Sequence, residues 1–286
     1  MKATGEDVAQ FLVHTASQPR SHRATTGGNR PVSLGTLQIS LSAINRKYKD
    51  AGKESPGNTV VVAAVIHGLT RIRGQSQRKV KPVREYDMRK MLAHCDERSQ
   101  RECLRVVATR DAALLAVGFA GALRRSEICQ LNVEDVDFLG RPDEDNGLFL
   151  TIQKSKTDQA AKGQRIAIPA GKGLNAVARL RGWMALAETR EGPLFQSLWR
   201  GGRLRGRRLH HSDIPRLVKH YVAAIGLDPA EYSGHSLRAG FVTSAAVHGA
   251  RLDKIMEVTR HSSAEMVLRY IRQVEAFDDH AGAAFL

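Results

Sequence analysis

Apolar residues recur every three to four positions along most of this chain, and only three short stretches break into alternation or continuous apolar runs. In "TGEDVAQFLVHTAS" Val8, Phe11 and Leu12 fall at helical spacing behind Thr4, a side chain suited to an N-cap. "VSLGTLQISLSAINRKYKDAG" places Leu37, Leu41 and Ile44 on one face and ends at Gly52. "SPGNTVVVAAVIHGLTRIRG" predicts a third helical stretch, introduced by Pro56 and Gly57. The polar, basic "GQSQRKVKPV" at 74–83 interrupts this pattern and closes on Pro82. It predicts a boundary: a helical domain at 1–77, a basic linker at 78–84 and a second domain at 85–286. A surface loop inside one domain is the alternative.

The second part opens on the amphipathic "DMRKMLAHC". "TRDAALLAVGFAGALRRSEICQL" predicts a buried helix capped at Thr109 and halted near Gly121, then a short helix from about Ser126. "EDVDF", "LFLTIQK" and "QRIAIPA" predict strands, the last two forming a hairpin around "SKTDQAAKG". From Gly173 onward helices dominate. The expected fold is mainly α with a small antiparallel three-stranded sheet, in two domains.

Composition narrows the class. With 286 residues, 42% of them hydrophobic, the chain can bury a core of ordinary size. The uncharged apolar run Ala112 to Leu123 is too short to span a bilayer. Glu6 and Asp7 stand where a signal peptide would be apolar. A soluble, cytoplasmic protein is expected. Cys95, Cys103 and Cys129 have neither metal spacing nor the density of a disulfide scaffold. The net charge of +15, from 44 Lys and Arg against 29 Asp and Glu, points to a polyanion. A membrane surface would call for a basic amphipathic helix with an aromatic face, and none is present. Aromatics at 5% argue against a single-strand stacking platform. Nucleic acid is the expected partner, and the linker cations Arg78, Lys79 and Lys81 would suit a chain that wraps a duplex.

The chemistry is suggested by "SGHSLRAGFV". His235 and Arg238, three residues apart, share a helix face. Attack on a phosphodiester spreads negative charge over its non-bridging oxygens, and two guanidiniums can clamp them. Arg238 fits that role. So does Arg124, which follows an apolar helix and a glycine turn. His235 can donate to the same oxygen or handle a proton near neutral pH, and His261 offers a further donor. Tyr270 would be the nucleophile, on a helix opened by a Ser262–Glu265 capping box, although a core tyrosine is the plainer reading. The leaving oxygen needs an acid. Lys156 in the hairpin turn is preferred, with Lys154 and Lys162 as competitors. No carboxylate triad at metal spacing is present, so no metal is expected. Glu127, three residues after Arg124, reads as a supporting partner of the site or a helix N-terminal acid rather than a metal ligand.

These residues resemble those of the tyrosine recombinases, the lambda-integrase type that includes phage integrases and Xer-like enzymes. "GALRRSEICQL" is similar to the first arginine box, "GHSLRAGFVTSAAVHG" to the His-x-x-Arg box, and "TRHSSAEMVLRYIR" to the box with the nucleophile. The order Arg124, Lys156, His235, Arg238, His261, Tyr270 matches throughout. Two positions depart: Arg260 stands where the family often has glycine, and Ala239 where it often has a second histidine.

The resemblance implies attack by Tyr270 on double-stranded DNA, a 3′-phosphotyrosine intermediate and a free 5′ hydroxyl, with no ATP or other cofactor. It implies a tetramer on two DNA sites, each duplex held between a helical lobe and a catalytic lobe. It makes "RGGRLRGRRLHH", with Arg200, Arg203, Arg205, Arg207 and Arg208, a phosphate-contacting loop, or else a disordered basic loop. The tail, with Phe277, Ala283, Ala284, Phe285 and Leu286, would dock into a neighbouring protomer or fray. No separate arm-binding domain is expected ahead of Thr4. Two rivals remain: a type IB topoisomerase-like relaxing enzyme, and a DNA-binding regulator of the same fold with reduced catalysis.

Overall fold

The computed structural model describes residues 3–18, 31–73, 80–140, 146–153, 163–171, 173–261, 263–268 and 270–271. Arg78 and Lys79 of the expected linker, the lysines Lys154, Lys156 and Lys162 of the expected hairpin turn, Ser262 of the expected capping box, and the C-terminal tail lie outside them. The chain divides into two compact units, Met1–Arg78 and Lys79–Leu286.

The first unit holds helices α1 (Gly5–Ser17), α2 (Leu34–Asp50) and α3 (Val60–Arg73). Thr4 caps α1 as expected: its hydroxyl accepts the Asp7 N–H while the Asp7 carboxylate accepts the Thr4 N–H at 2.7 Å. Ser33 caps α2 through the Thr36 N–H, and Pro56 opens a 3-10 turn before α3. The core is Val8, Ala9, Leu12, Ala16, Leu37 and Val62, with Leu41 and Ile44 packed against it. Phe11, expected on the buried face, is exposed. The buried stripe of α1 runs 8, 9, 12, 16, and a residue at 11 sits beside it. Arg73 at the end of α3 donates to the carbonyls of Ala16 and Val32, tying the last helix to the first two.

The second unit contains α4 (Glu85–Ser99), α5 (Glu102–Ala120), α6 (Arg125–Gln130), β1 (Val136–Leu139), β2 (Gly147–Ile152), β3 (Gln164–Pro169), α7 (Ala176–Ala187), β4 (Gln196–Leu198), β5 (Leu204–Arg208), α8 (Asp213–Ala224), α9 (Ser236–Val247) and α10 (Leu252–Thr259). Residues 264–268 and 270–271 are again helical. The three-stranded antiparallel sheet has the order β1-β2-β3, with Val136 opposite Leu150 and Leu148 opposite Ile168. Leu148, Leu150, Ile152, Ile166 and Ile168 turn to the core at the period of two that strands impose.

Helix α5 is the centre of this unit, its residues 110–119 buried throughout. It starts at Glu102, not at Thr109, which lies inside the helix. The acid in the first turn suits the N-terminal end of the helix dipole. A buried network fastens α5 to the later elements. Asp111 accepts from the Arg110 guanidinium and, at 3.0 Å, from the Tyr221 hydroxyl of α8, while Arg110 also donates to the Gln196 carbonyl of β4.

Two further expectations need correction. "RGGRLRGRR" forms most of the β4–β5 hairpin, a second two-stranded sheet, with Gly201 and Gly202 at positive φ in its turn. The 81–84 stretch, expected as part of a linker, is anchored to the second unit. Val83 is fully buried, its N–H donates to the Ser236 carbonyl at 3.0 Å, and the Lys81 N–H donates to the Glu231 carbonyl at 2.8 Å. Among the described residues no helix is long and apolar enough to cross a membrane.

Candidate active site

The turn between α5 and α6 sets the first arginine. Ala122 takes a left-handed φ of 46° there and is fully buried. A residue with a Cβ gives up about 1–2 kcal/mol in that region. The conformation directs the Ala122 carbonyl to Arg238 Nη1, at 2.8 Å. Arg124 follows as the N-cap of α6, where its backbone N–H and its Nη1 donate to the two oxygens of Glu127 at 2.8 and 2.7 Å. The Glu127 side chain is 1% exposed.

Arg238 lies in the first turn of α9 and is 2% exposed. Among the described residues no acceptor reaches its buried Nη2. Burial, reinforced by the Arg124 and Arg260 charges and opposed by Glu127, lowers its pKa to about 9, so it is charged at neutral pH. His235 stands at the N-cap of the same helix, held by a serine turn in which its N–H donates to Ser233 Oγ and Ser233 N–H to Ser236 Oγ.

Tyr270, 35 residues along the chain, brings its hydroxyl to 3.0 Å from His235 Nε2. Desolvation and the Arg238 and Arg124 charges lower the His235 pKa, which favours the neutral, proton-accepting imidazole. Burial raises the Tyr270 pKa, with Arg238 pulling the other way. The tyrosine is therefore a neutral phenol facing a neutral base.

His261 follows the end of α10. Thr259 Oγ1 donates its proton to the Ile255 carbonyl at 2.7 Å and lies 2.8 Å from His261 Nδ1. A hydroxyl has one proton, so the network assigns the second contact to donation by Nδ1–H. In the neutral ring Nε2 then carries a lone pair. The further donor expected of His261 is available at Nε2 only once the ring is protonated, as an arriving phosphate would favour.

Burial first, then Arg238, Arg124 and the other neighbours, lower the His261 pKa to about 4. An unfolded histidine takes its proton near pH 6.5. Between those values the folded state binds fewer protons than the unfolded state. The stability His261 contributes is thus complete above about pH 6.5 and is lost as pH falls toward 4. The thermal midpoint should drop between about pH 7.5 and about pH 5, and His261→Gln should flatten that drop. An unchanged slope in the variant would rule His261 out as its source.

The sequence model of the phage integrase family matches residues 81–276. The chain belongs to the phage integrase family. It is 36% identical over 251 residues to the integrase/recombinase xerD homolog of Selenomonas ruminantium, covering 86% of this chain and 70% of that protein. It is 29% identical over 157 residues to the tyrosine recombinase XerC of Thermodesulfovibrio yellowstonii, covering 54% of this chain and 47% of that one. The matches to XerC relatives thus take in about half of their length. Two solved structures share the fold. One is the XerH site-specific recombinase bound to palindromic difH substrate, with a TM-score of 0.64 at 17% identity, covering 99% of this chain and 73% of that one. The other is a lambda integrase dimer bound to a COC′ core site, with a TM-score of 0.56 at 18% identity, covering 94% and 80%.

In this phage integrase family member the structure brings Arg124, Glu127, Arg238, His235, His261 and Tyr270 into one charged cluster. Lys156 and its competitors fall between β2 and β3 in the sequence, outside the described residues, and Ile152 opposite Gln164 is the pair of the β2–β3 ladder nearest to them. The outlying cations divide. Arg203, Arg205 and Arg207 are exposed on or beside β5, with Arg205 stacked 3.9 Å from the Trp199 ring. Arg208 departs from the expected free phosphate contact, because its guanidinium donates to the Cys129, Gln130 and Leu131 carbonyls and to Asn132 Oδ1. Lys81 is ion-paired with Glu231.

Sequence reasoning treated Arg260 as a mere departure. The structure places it inside the cluster: its Nη2 donates to Glu127 Oε2 at 2.6 Å, its side chain is 5% exposed, and its φ is 55°. Its position directly before His261 was the available signal.

Proposed function

We propose that this chain is a site-specific recombinase that cuts and rejoins double-stranded DNA through a covalent link to Tyr270. The observation that carries the reading is the 3.0 Å contact between the Tyr270 hydroxyl and His235 Nε2, beside the buried guanidinium of Arg238. His235 accepts the phenolic proton as Tyr270 Oη attacks the scissile phosphorus. Arg238, through its uncommitted Nη2, and Arg124 hold the non-bridging oxygens as charge builds on them. The bond to the 5′ oxygen breaks, and Lys156 protonates that oxygen, with Lys154 and Lys162 as the other candidates. The products are a 3′-phosphotyrosine and a 5′ hydroxyl.

In the second step a 5′ hydroxyl from the partner strand attacks the phosphotyrosine and releases the tyrosine. One phosphodiester is exchanged for another, so the cycle needs no ATP, and the guanidiniums supply the positive charge that a metal would otherwise bring to the non-bridging oxygens. Recombining two duplexes exchanges four strands, and a tetramer on two sites supplies one tyrosine for each. Arg203, Arg205 and Arg207, with Arg78 and Lys79, supply backbone phosphate contacts that set affinity more than sequence preference. The relatives named XerD homolog, XerC and XerH support the same assignment.

The test is covalent trapping. Nicked duplexes tiled across the DNA flanking the chain's own gene are incubated with the protein and resolved on a denaturing gel. The adduct is digested and mapped by mass spectrometry. A nucleotide on the Tyr270 peptide is expected. An adduct on another residue, or none on any duplex, would overturn the reading.

A further inference from the structure

Arg260 sits at the C-terminal cap of α10 in the left-handed region, with φ 55° and ψ 43°. That region favours glycine and penalises an arginine. The side chain nevertheless turns inward to a carboxylate that is itself buried. Glu127 meets Arg124 Nη1 at one oxygen; at the other it meets Arg260 Nη2 and the Arg124 backbone N–H. Arg238 makes no contact with Glu127 but lies near enough for the charges of Glu127, Arg124 and Arg260 to act on it, so three guanidiniums share one carboxylate, an excess of two positive charges. Two of them carry a buried N–H that finds no acceptor among the described residues, Arg238 Nη2 and Arg260 Nε. Unmatched buried donors on cations are costly unless something else takes them up.

The excess matches one state on the reaction path. A scissile phosphodiester carries one negative charge. The phosphorane formed when a deprotonated tyrosine attacks it carries two. Without Arg260 the carboxylate of Glu127 would fall wholly on Arg124. The cluster would then hold a single net positive charge, suited to the ground state.

We propose that Arg260 is a positioning residue for strand cleavage: by sharing Glu127 it frees Arg124 to act on the phosphate and sets the charge of the site to that of the phosphorane. This rests on the recombinase reading given above. Arg260 acts through Glu127 and Arg124, so its loss should lower the cleavage rate and leave DNA affinity unchanged.

The test uses the nicked duplex on which the wild-type protein forms the strongest Tyr270 adduct. Arg260→Gly suits the backbone at this position, so the fold should persist. Its adduct should form about 10- to 100-fold more slowly, with an unchanged gel shift. A second duplex carries a neutral methylphosphonate at the scissile position, which removes one negative charge from the transition state. On it the deficit should shrink severalfold. Adding Glu127→Gln to Arg260→Gly removes the carboxylate charge and should recover most of the lost rate on the ordinary duplex. A wild-type rate in Arg260→Gly would overturn the proposal. So would an equal deficit on both duplexes without recovery in the double variant, since that is the behaviour of a structural contact. A wild-type protein that forms no Tyr270 adduct would instead sink the recombinase reading, and this inference with it.

Discussion

Tyr270→Phe is expected to shift DNA on a native gel as the wild-type protein does and to form no covalent adduct. The substitution removes one oxygen. The ring stays, and with it the packing against the small cluster of Val242, Ile255 and Val267. The hydroxyl lost is half-buried, and its partner is His235 Nε2 at 3.0 Å. That contact contributes about 1 kcal/mol to stability at most, so the variant should unfold close to the wild-type midpoint. Cleavage is different in kind, because no bond to phosphorus can form without the oxygen. Loss of a nucleophile in a cooperating set costs on the order of 10⁴-fold or more.

Wild type and variant run side by side separate the rivals. A shift without adduct in both identifies a binding protein of this fold. An adduct that persists in the variant moves the nucleophile elsewhere. A wild-type adduct on nearly every tiled duplex, with little sequence demand, identifies a relaxing enzyme, whereas an adduct confined to one or two identifies a recombinase.

The site was legible where chemistry and local periodicity coincide. His235 and Arg238 could be placed together because three residues on a helix share a face, and Arg124 could be placed at the core edge because an apolar helix and a glycine turn precede it. The contact between Tyr270 and His235 is tertiary, but each residue's type announced a role. Arg260 announced none by its type, only by standing directly before His261. Its importance comes from a left-handed backbone that turns a surface-type side chain inward, and no periodicity encodes that. The β4–β5 hairpin was missed for a related reason. Arg205, Gly206, Arg207 and Arg208 are all exposed, so the strand lacks the alternation that marks a half-buried sheet. Thr109 misled because a capping-type residue before an apolar run is a start signal only where the preceding turn is not already helical. The three sheet strands were legible because their more and less exposed residues alternate and their neighbours along the chain are turn formers.

Gly240→Ala should cost the second unit about 3–5 kcal/mol of stability, among the larger effects of a single methyl. Gly240 lies on α9, two residues after Arg238. A Cβ built there meets the Val83 carbonyl oxygen at 1.8 Å and its carbon at 2.8 Å. The obstacle is backbone, so no rotamer change relieves it. One escape peels the 81–84 stretch away. That exposes Val83, worth roughly 1.5–3 kcal/mol, and gives up the Val83–Ser236 and Lys81–Glu231 backbone hydrogen bonds at about 1 kcal/mol each. The other escape displaces α9 and carries His235 and Arg238 away from Tyr270 and the Ala122 carbonyl. Gly182 is the control. It is exposed within α7 and a Cβ there meets nothing within 4 Å. Gly182→Ala should therefore stabilise by about 0.5–1 kcal/mol through helix propensity alone. Urea midpoints of the two variants should move in opposite directions from wild type. If Gly240→Ala instead matched wild type, Val83 would not be seated on α9, and the helix that carries His235 and Arg238 would be held by other contacts.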